Sequence, residues 1–137
     1  MLNVMLDEGA KMPTRAHAGD AGLDLYSPVK VVIPARGMKP IDTGVHVEIP
    51  FGAAGFLKSK SGLNVKHGIT SEGVIDYGYT GSIVANLYNH TDNDYIVEKG
   101  DKITQLVLEP ILLLDTNLVE EFEKTERGDG GFGSTGR

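Results

Sequence analysis

Nowhere in this chain do apolar residues recur at spacings of three and four for a dozen uninterrupted positions; they come in short runs bounded by turn residues. The clearest run is Ile41 to Ile49, where Ile41, Thr43, Val45, Val47 and Ile49 alternate with Asp42, Gly44, His46 and Glu48. A period of two puts the first set on one face of an extended chain and the second on the other, which predicts one half-buried strand. Shorter β-rich runs follow the same logic at Val29 to Ile33, Gly55 to Leu57, Ser82 to Tyr88, Tyr95 to Val97, Ile103 to Leu108 and Val119 to Phe122. Turns are expected at Pro34 to Gly37, Pro50 to Gly52 and Glu98 to Asp101, and Ser61 to His67 has room for one or two helical turns. The expectation is an all-β sandwich or barrel.

A chain of 137 residues without cysteine must hold that fold by packing alone, since neither disulfides nor thiolate zinc sites are open to it. Its longest apolar tract, Leu106 to Leu114, is broken by Glu109 and Pro110 and is far shorter than the roughly 20 residues that span a bilayer. Nothing near Met1 has the form of a secretion signal, so the cytoplasm is the expected compartment. A net charge of −6 speaks against gripping a nucleic-acid backbone, yet leaves room for one small anion held by local donors and a metal. Residues 1–126 are predicted to form one β domain. Residues 127–137, with glycine at 128, 130, 131, 133 and 136, are predicted to form a flexible arm.

Several short patterns carry no chemistry. Gly128 to Gly133 spells G-x-G-x-x-G, but dinucleotide binding needs a helix after it and only four residues remain. Arg127-Gly128-Asp129 is an adhesion tripeptide by spelling only. His17, His46, His67 and His90 lie too far apart to form a local ligand pair, and each is expected at the surface or at a strand edge.

Two segments say more. Gly73 to Gly81 suggests a tight hairpin, and Asp76 beside it is suited either to activate a water or to close its own turn. In the arm, glycines let backbone N–H groups approach phosphate oxygens, Ser134 and Thr135 add hydroxyls, and Arg127 adds a phosphate-shaped fork. Phe132 has no core to join, whereas stacking on a nucleobase is worth about 1–3 kcal/mol. The alternative for the arm is a disordered tail.

Together with three further segments these resemble the trimeric dUTPase family, in the family's order and over nearly the whole chain. Ala21-Gly22-Leu23-Asp24-Leu25 is similar to its first motif, and Ser59-Lys60-Ser61-Gly62-Leu63 to its second. Gly73 to Gly81 resembles the third, Gly100 to Leu106 the fourth and Arg127 to Gly136 the fifth. The resemblance implies a jelly-roll-like distorted β-barrel, a homotrimer with sites shared between subunits, and Mg²⁺-assisted cleavage of dUTP to dUMP and pyrophosphate. It implies Asp76 as the general base and Tyr79 beneath the deoxyribose. The hairpin from Thr70 to Gly81, including Gly73 and Ile75, would read uracil. Lys60, Ser61, Gly62 and Gln105 would hold phosphates, and Arg127, Phe132, Gly133, Ser134 and Thr135 would close over the nucleotide. Mg²⁺ would be carried mainly by the triphosphate and water, with Asp24 either touching that water shell or bracing the site.

Three positions depart from the family pattern: Lys60 where arginine is common, Thr104 where alanine is common, its hydroxyl expected to face solvent, and Glu72 in the hairpin. The rival readings are a dCTP deaminase, which the full arm and the Asp76-x-x-Tyr79 spacing disfavour, and a dUTPase-like regulator of a protein partner docking at a surface such as Asn89 to Asp94. A purely structural jelly-roll trimer leaves the arm unexplained.

Overall fold

The computed structural model describes residues 1–136; Arg137, the last residue of the expected arm, lies outside the described residues. The described residues form strands β1 (Val4–Leu6), β2 (Gly22–Tyr26), β3 (Val31–Ile33), β4 (Met38–Asp42) and β5 (Val45–Val47). There follow β6 (Ala53–Lys58), the helix α1 (Ser61–His67), β7 (Ile69–Ile75), β8 (Val84–Asn89), β9 (Tyr95–Val97) and β10 (Lys102–Pro110). A curled six-stranded sheet runs β2-β10-β6-β7-β8-β4, with every neighbouring pair antiparallel. The pairs β1-β5 and β3-β9 complete a distorted, jelly-roll-like all-β body. No helix among the described residues is long and apolar enough to cross a membrane.

The alternating segment faces the core as its pattern demands: Ile41, Thr43, Val45, Val47 and Ile49 are all buried. It is two strands, however, and not one. β4 pairs with β8 while β5 pairs with β1, so the chain changes sheets at Thr43 and Gly44. Such a corner needs a residue free of Cβ constraints, and Gly44 supplies it at φ +65°, with Ala10 too close for any side chain. The Thr43 hydroxyl donates to the Ile83 carbonyl at 2.7 Å and closes the break.

One apolar cluster gathers Leu25, Val45, Val47, Leu57, Ile83 and Leu106. A second gathers Ile33, Ile41, Ile69, Leu87, Val97 and Ile103. Fully burying one such side chain is worth about 1.5–3 kcal/mol, so these layers fix the sheet on which the surface motifs sit. Val119 to Phe122, by contrast, is not a strand. After the Ile111 N–H meets the Gly52 carbonyl, the chain runs on exposed through Leu112, Leu113, Leu114, Leu118 and Phe122 with no ladder partner among the described residues.

Candidate functional site

β7 and β8 form the hairpin expected around residue 76, but they pair only from Ile69↔Asn89 to Ser71↔Leu87. Beyond that point β7 stays paired with β6 and β8 with β4, so the two strands part and the edge of β7 from Glu72 to Ile75 has no ladder partner on the β8 side among the described residues. At its tip the exposed Asp76 presents its carboxylate, while its carbonyl accepts the Tyr79 N–H at 3.2 Å. Tyr77 meets Phe51 edge-on, ring centres 5.3 Å apart. Tyr79 Oη donates to the Ser82 carbonyl at 2.9 Å. Its ring lies across Gly81, where a Cβ would come within 2.5 Å of the phenol oxygen, so only glycine seats the ring there. Gly73 and Ile75 are on β7, opposite Leu57 and Gly55 of β6.

A second cluster forms where β6 passes into α1. Ser59 Oγ accepts the Ser71 N–H at 3.0 Å and donates to the Ser71 carbonyl at 3.2 Å, and Gln105 Nε2 donates to the Ser59 carbonyl at 2.9 Å. Lys60 precedes the helix, and Ser61 and Gly62 open it at exposed positions. Asp24, on β2 opposite Gln105, is buried with its carboxylate shared by Lys60 Nζ and Lys102 Nζ, the latter at 2.8 Å. Burial alone would raise the Asp24 pKa. The hydrogen bonds and charges of Lys102 and Lys60 outweigh it and hold the carboxyl below its usual value. Lys102 is held above its own usual value, chiefly by its hydrogen bond to Asp24. Asp24 is thus a brace between two cations, one of which, Lys60, belongs to the expected phosphate site.

The departures from the family pattern find places here. Thr104 does not face solvent: it is fully buried, donating to the Lys58 carbonyl at 3.0 Å and meeting Ser71 Oγ at 2.7 Å, so its hydroxyl ties β10, β6 and β7 together. Glu72 is exposed and stands opposite Lys58 across the β6-β7 ladder, an opposite-charge pair of the kind that supports a sheet.

Asp76 and the Ser59–Gly62 corner do not meet within one chain. The β6-β7 ladder pairs Lys58 with Glu72 at one end and Gly55 with Ile75 at the other. At about 3.3 Å per residue, the run from Glu72 to Asp76 separates them by roughly 13 Å. The arm is apart from both. Arg127 Nε donates to the Gly130 carbonyl at 2.8 Å, the Ser134 N–H reaches the Gly131 carbonyl, Gly133 and Thr135 continue the same tight turns, and Phe132 projects fully exposed. The Asn89 to Asp94 surface is a packed corner: buried Asn89 donates to the carbonyls of Ile33 and Asn93, and Arg36 pairs with Asp92 at 2.7 Å.

Sequence reasoning missed Lys60 and Lys102 as the partners of Asp24. Lys102 was signalled by its place in the fourth motif, but its partner is set by a register that no local pattern displays.

The family model for dUTPase matches residues 8–136. The deoxyuridine 5'-triphosphate nucleotidohydrolase of Paramecium bursaria Chlorella virus 1 is 48% identical over 132 residues, covering 96% of this chain and 94% of the viral one. Among solved structures, the dUTPase of Staphylococcus bacteriophage 80alpha with dUpNHpp superposes with a TM-score of 0.94 at 36% identity, covering 100% of this chain and 99% of the phage one. A variant dUTPase from phage phi11 of S. aureus, described for its coordination of a structural Mg(II) ion, has a TM-score of 0.83 at 34% identity, covering 90% of this chain and 99% of that one. Sequence match, five motifs in order and shared fold agree that this chain belongs to the dUTPase family.

Proposed function

We propose that this chain is a dUTP diphosphatase that hydrolyses dUTP to dUMP and pyrophosphate in sites shared by three copies. The observation that carries the reading is the β7-β8 hairpin, whose strands part after Ser71 and Leu87 and leave an edge of β7 main chain unpaired, with an exposed carboxylate and a seated tyrosine at its tip. A uracil entering where the ladder ends after Ser71 and Leu87 meets main-chain donors and acceptors along Gly73 to Ile75. Cytosine exchanges donor and acceptor at N3 and at position 4 and leaves their partners unpaired, a loss that can reach about 10⁴ in discrimination. The Tyr79 ring, fixed on Gly81, packs beneath the deoxyribose and leaves no room for a 2′-hydroxyl.

Asp76 takes a proton from a water as that water's oxygen bonds to the α-phosphorus. The bond from the α-phosphorus to the bridging oxygen breaks, and pyrophosphate leaves with the electron pair. Ser61, Gly62 and Gln105 bind phosphate oxygens, and Lys60, steadied by Asp24, adds a fixed positive charge. Arg127, Phe132, Gly133, Ser134 and Thr135 close over the nucleotide and exclude bulk water.

No group of three or more His, Asp or Glu side chains among the described residues is placed to hold a metal. With Asp24 taken by two lysines, the donor set fits Mg²⁺ carried by the triphosphate and water, which suits a hard ion slow to lose its hydration shell. Bound in that way it neutralises phosphate charge and orients the α-phosphate.

The separation of Asp76 from the phosphate corner supports assembly. So does the outer face of the six-stranded sheet, where Met38, Phe56, Val74, Val84, Tyr88 and Val107 share one side by register and stay partly or fully exposed. A homotrimer covers such surfaces and brings one chain's hairpin to another's phosphate corner. Pyrophosphate release from dUTP, measured beside dTTP, dCTP and UTP, tests the reading. A clear preference for dUTP supports it, and equal rates or release of ammonia from dCTP reject it. Sedimentation tests the assembly, and a fully active monomer overturns it.

A further inference from the structure

The segment that follows the catalytic hairpin is pinned to the β4-β5 corner. The Ile83 carbonyl accepts the Thr43 N–H and hydroxyl, the Ile83 N–H reaches the Val45 carbonyl at 2.8 Å, and Ser82 Oγ donates to Asp42. One more contact comes from His46 on β5. Its Nδ1 lies 2.7 Å from the Thr80 carbonyl oxygen and its Nε2 lies 3.0 Å from Asp7 Oδ1, with the side chain only 17% exposed. Both oxygens can only accept. A neutral imidazole has a single N–H to give, so it satisfies one of these contacts and turns a lone pair toward the other. Both become hydrogen bonds when the ring carries two protons.

We propose that His46 is a positioning residue for the tyrosine that faces the sugar: as an imidazolium it straps the Tyr79–Gly81 segment to Asp7, and its loss of a proton loosens Tyr79 and weakens selection of deoxynucleotide. The proposal rests on the reading that Tyr79 packs against the deoxyribose. Thr80 is adjacent to Tyr79, whose ring depends on Gly81 and whose hydroxyl depends on Ser82, so slack at Thr80 falls on the flanks of the ring's seat.

The surroundings favour the charged ring. Asp7 follows β1, Asp42 closes β4, and Glu48 follows β5, where it accepts from Asn3 at 2.7 Å. Arg15 lines the neighbouring groove beside Glu48 and Thr80, with its guanidinium turned to the Asp20 carbonyl. The Thr80 carbonyl, then Asp7 and Asp42, raise the His46 pKa above the ordinary value despite the opposing effect of burial. With a folded value raised above the unfolded one, the strap is complete below about pH 6.5 and is lost as pH rises through the folded pKa.

Two measurements on the full-length protein test this. Imidazole NMR titration, with the His46 signal identified by its absence in His46→Gln, should give a pKa above that of a free histidine. Kinetics with dUTP and UTP between about pH 6 and pH 9 should show the KM for dUTP rising about three- to tenfold, and the dUTP:UTP ratio of kcat/KM falling, around that same pKa. In Asp7→Asn the neutral ring can donate from Nδ1 to Thr80 and accept the amide N–H at Nε2. That variant should keep the low-pH KM and selectivity across the range, with the His46 pKa lowered. His46→Gln should show the high-pH KM and selectivity throughout. A His46 pKa at or below the ordinary value, or the same pH profile of KM in all three proteins, overturns the proposal. If dUTP is not preferred at any pH the functional reading fails instead, while the NMR titration and its shift in Asp7→Asn still decide whether the strap exists.

Discussion

Leucine behaves in opposite ways in two regions of this molecule. In the β body Leu25, Leu57, Leu87 and Leu106 are 0–2% exposed, each inside a layer closed by neighbouring strands. Past Ile111 the same side chain stands in the open: Leu112 is 86% exposed and Leu118 is 99% exposed. The chemistry is identical, so the difference lies in whether the chain supplies a partner surface. The body closes its two apolar clusters within one chain. The C-terminal stretch needs another surface to bury its leucines, and Asp76 and Lys60, proposed to act in one reaction, stand at opposite ends of the β6-β7 ladder.

The sharpest way to break this contrast is at the hairpin tip. Asp76→Asn should lower turnover by about 10²- to 10⁴-fold while the non-hydrolysable analogue dUpNHpp still binds, because the amide keeps shape but takes no proton. Calorimetric binding beside single-turnover rates separates the two, and a near-normal rate removes Asp76 from the base role. Deleting residues 128–137 should leave the trimer and its melting temperature in place and cost about 10–100-fold in turnover, mainly through lost stacking of Phe132 and lost exclusion of water. Full activity in the truncated protein would make the arm a tail.

The leucines test the comparison directly. Leu106→Ala should destabilise the body by about 2–5 kcal/mol in denaturant unfolding. Leu113→Ala should change the body by no more than about 0.5 kcal/mol and shift sedimentation toward smaller species instead. Equal losses in both would mean that the two regions are not physically distinct. A smaller effect is expected at Lys60, where Ala should raise the KM for dUTP about tenfold and Arg about twofold or less, since charge matters there more than the planar fork. The smallest concerns acid. Because the Asp24 pKa is depressed, its contribution is full above the ordinary carboxylate value and fades as pH falls through the lower folded value. Lys102→Met should therefore move the acid-unfolding midpoint slightly upward, read by circular dichroism.

What the sequence displayed and what it hid follow from range. Alternation from Ile41 to Ile49 marked the right faces, but it carries no information about ladder partners, so the change of sheets at Gly44 was invisible. β2 was not predicted as a strand because buried Asp24 interrupts its apolar run, and the lysines that make that burial tolerable come 36 and 78 residues later. Val119 to Phe122 has strand composition without a strand neighbour, and composition alone does not make a sheet. The hairpin was legible because it is one contiguous stretch with unusual chemistry. The His46 strap, which joins Asp7 to Thr80, was not, since its parts lie 39 and 34 residues apart and each looks ordinary alone. Thr104 misled for the same reason: its partners Lys58 and Ser71 meet it only in the folded sheet.

The β6-β7 ladder also has a genetic consequence. If Asp76 and Lys60 serve different sites because that ladder holds them apart, two damaged proteins can repair each other. Asp76→Asn chains retain an intact phosphate corner, and Lys60→Ala chains retain an intact hairpin. Mixed in one cell and assembled at random, they would rebuild about a quarter of the sites with both functions whole. Two alleles, each deficient alone, would then complement, whereas a single chain carrying both changes would rescue neither.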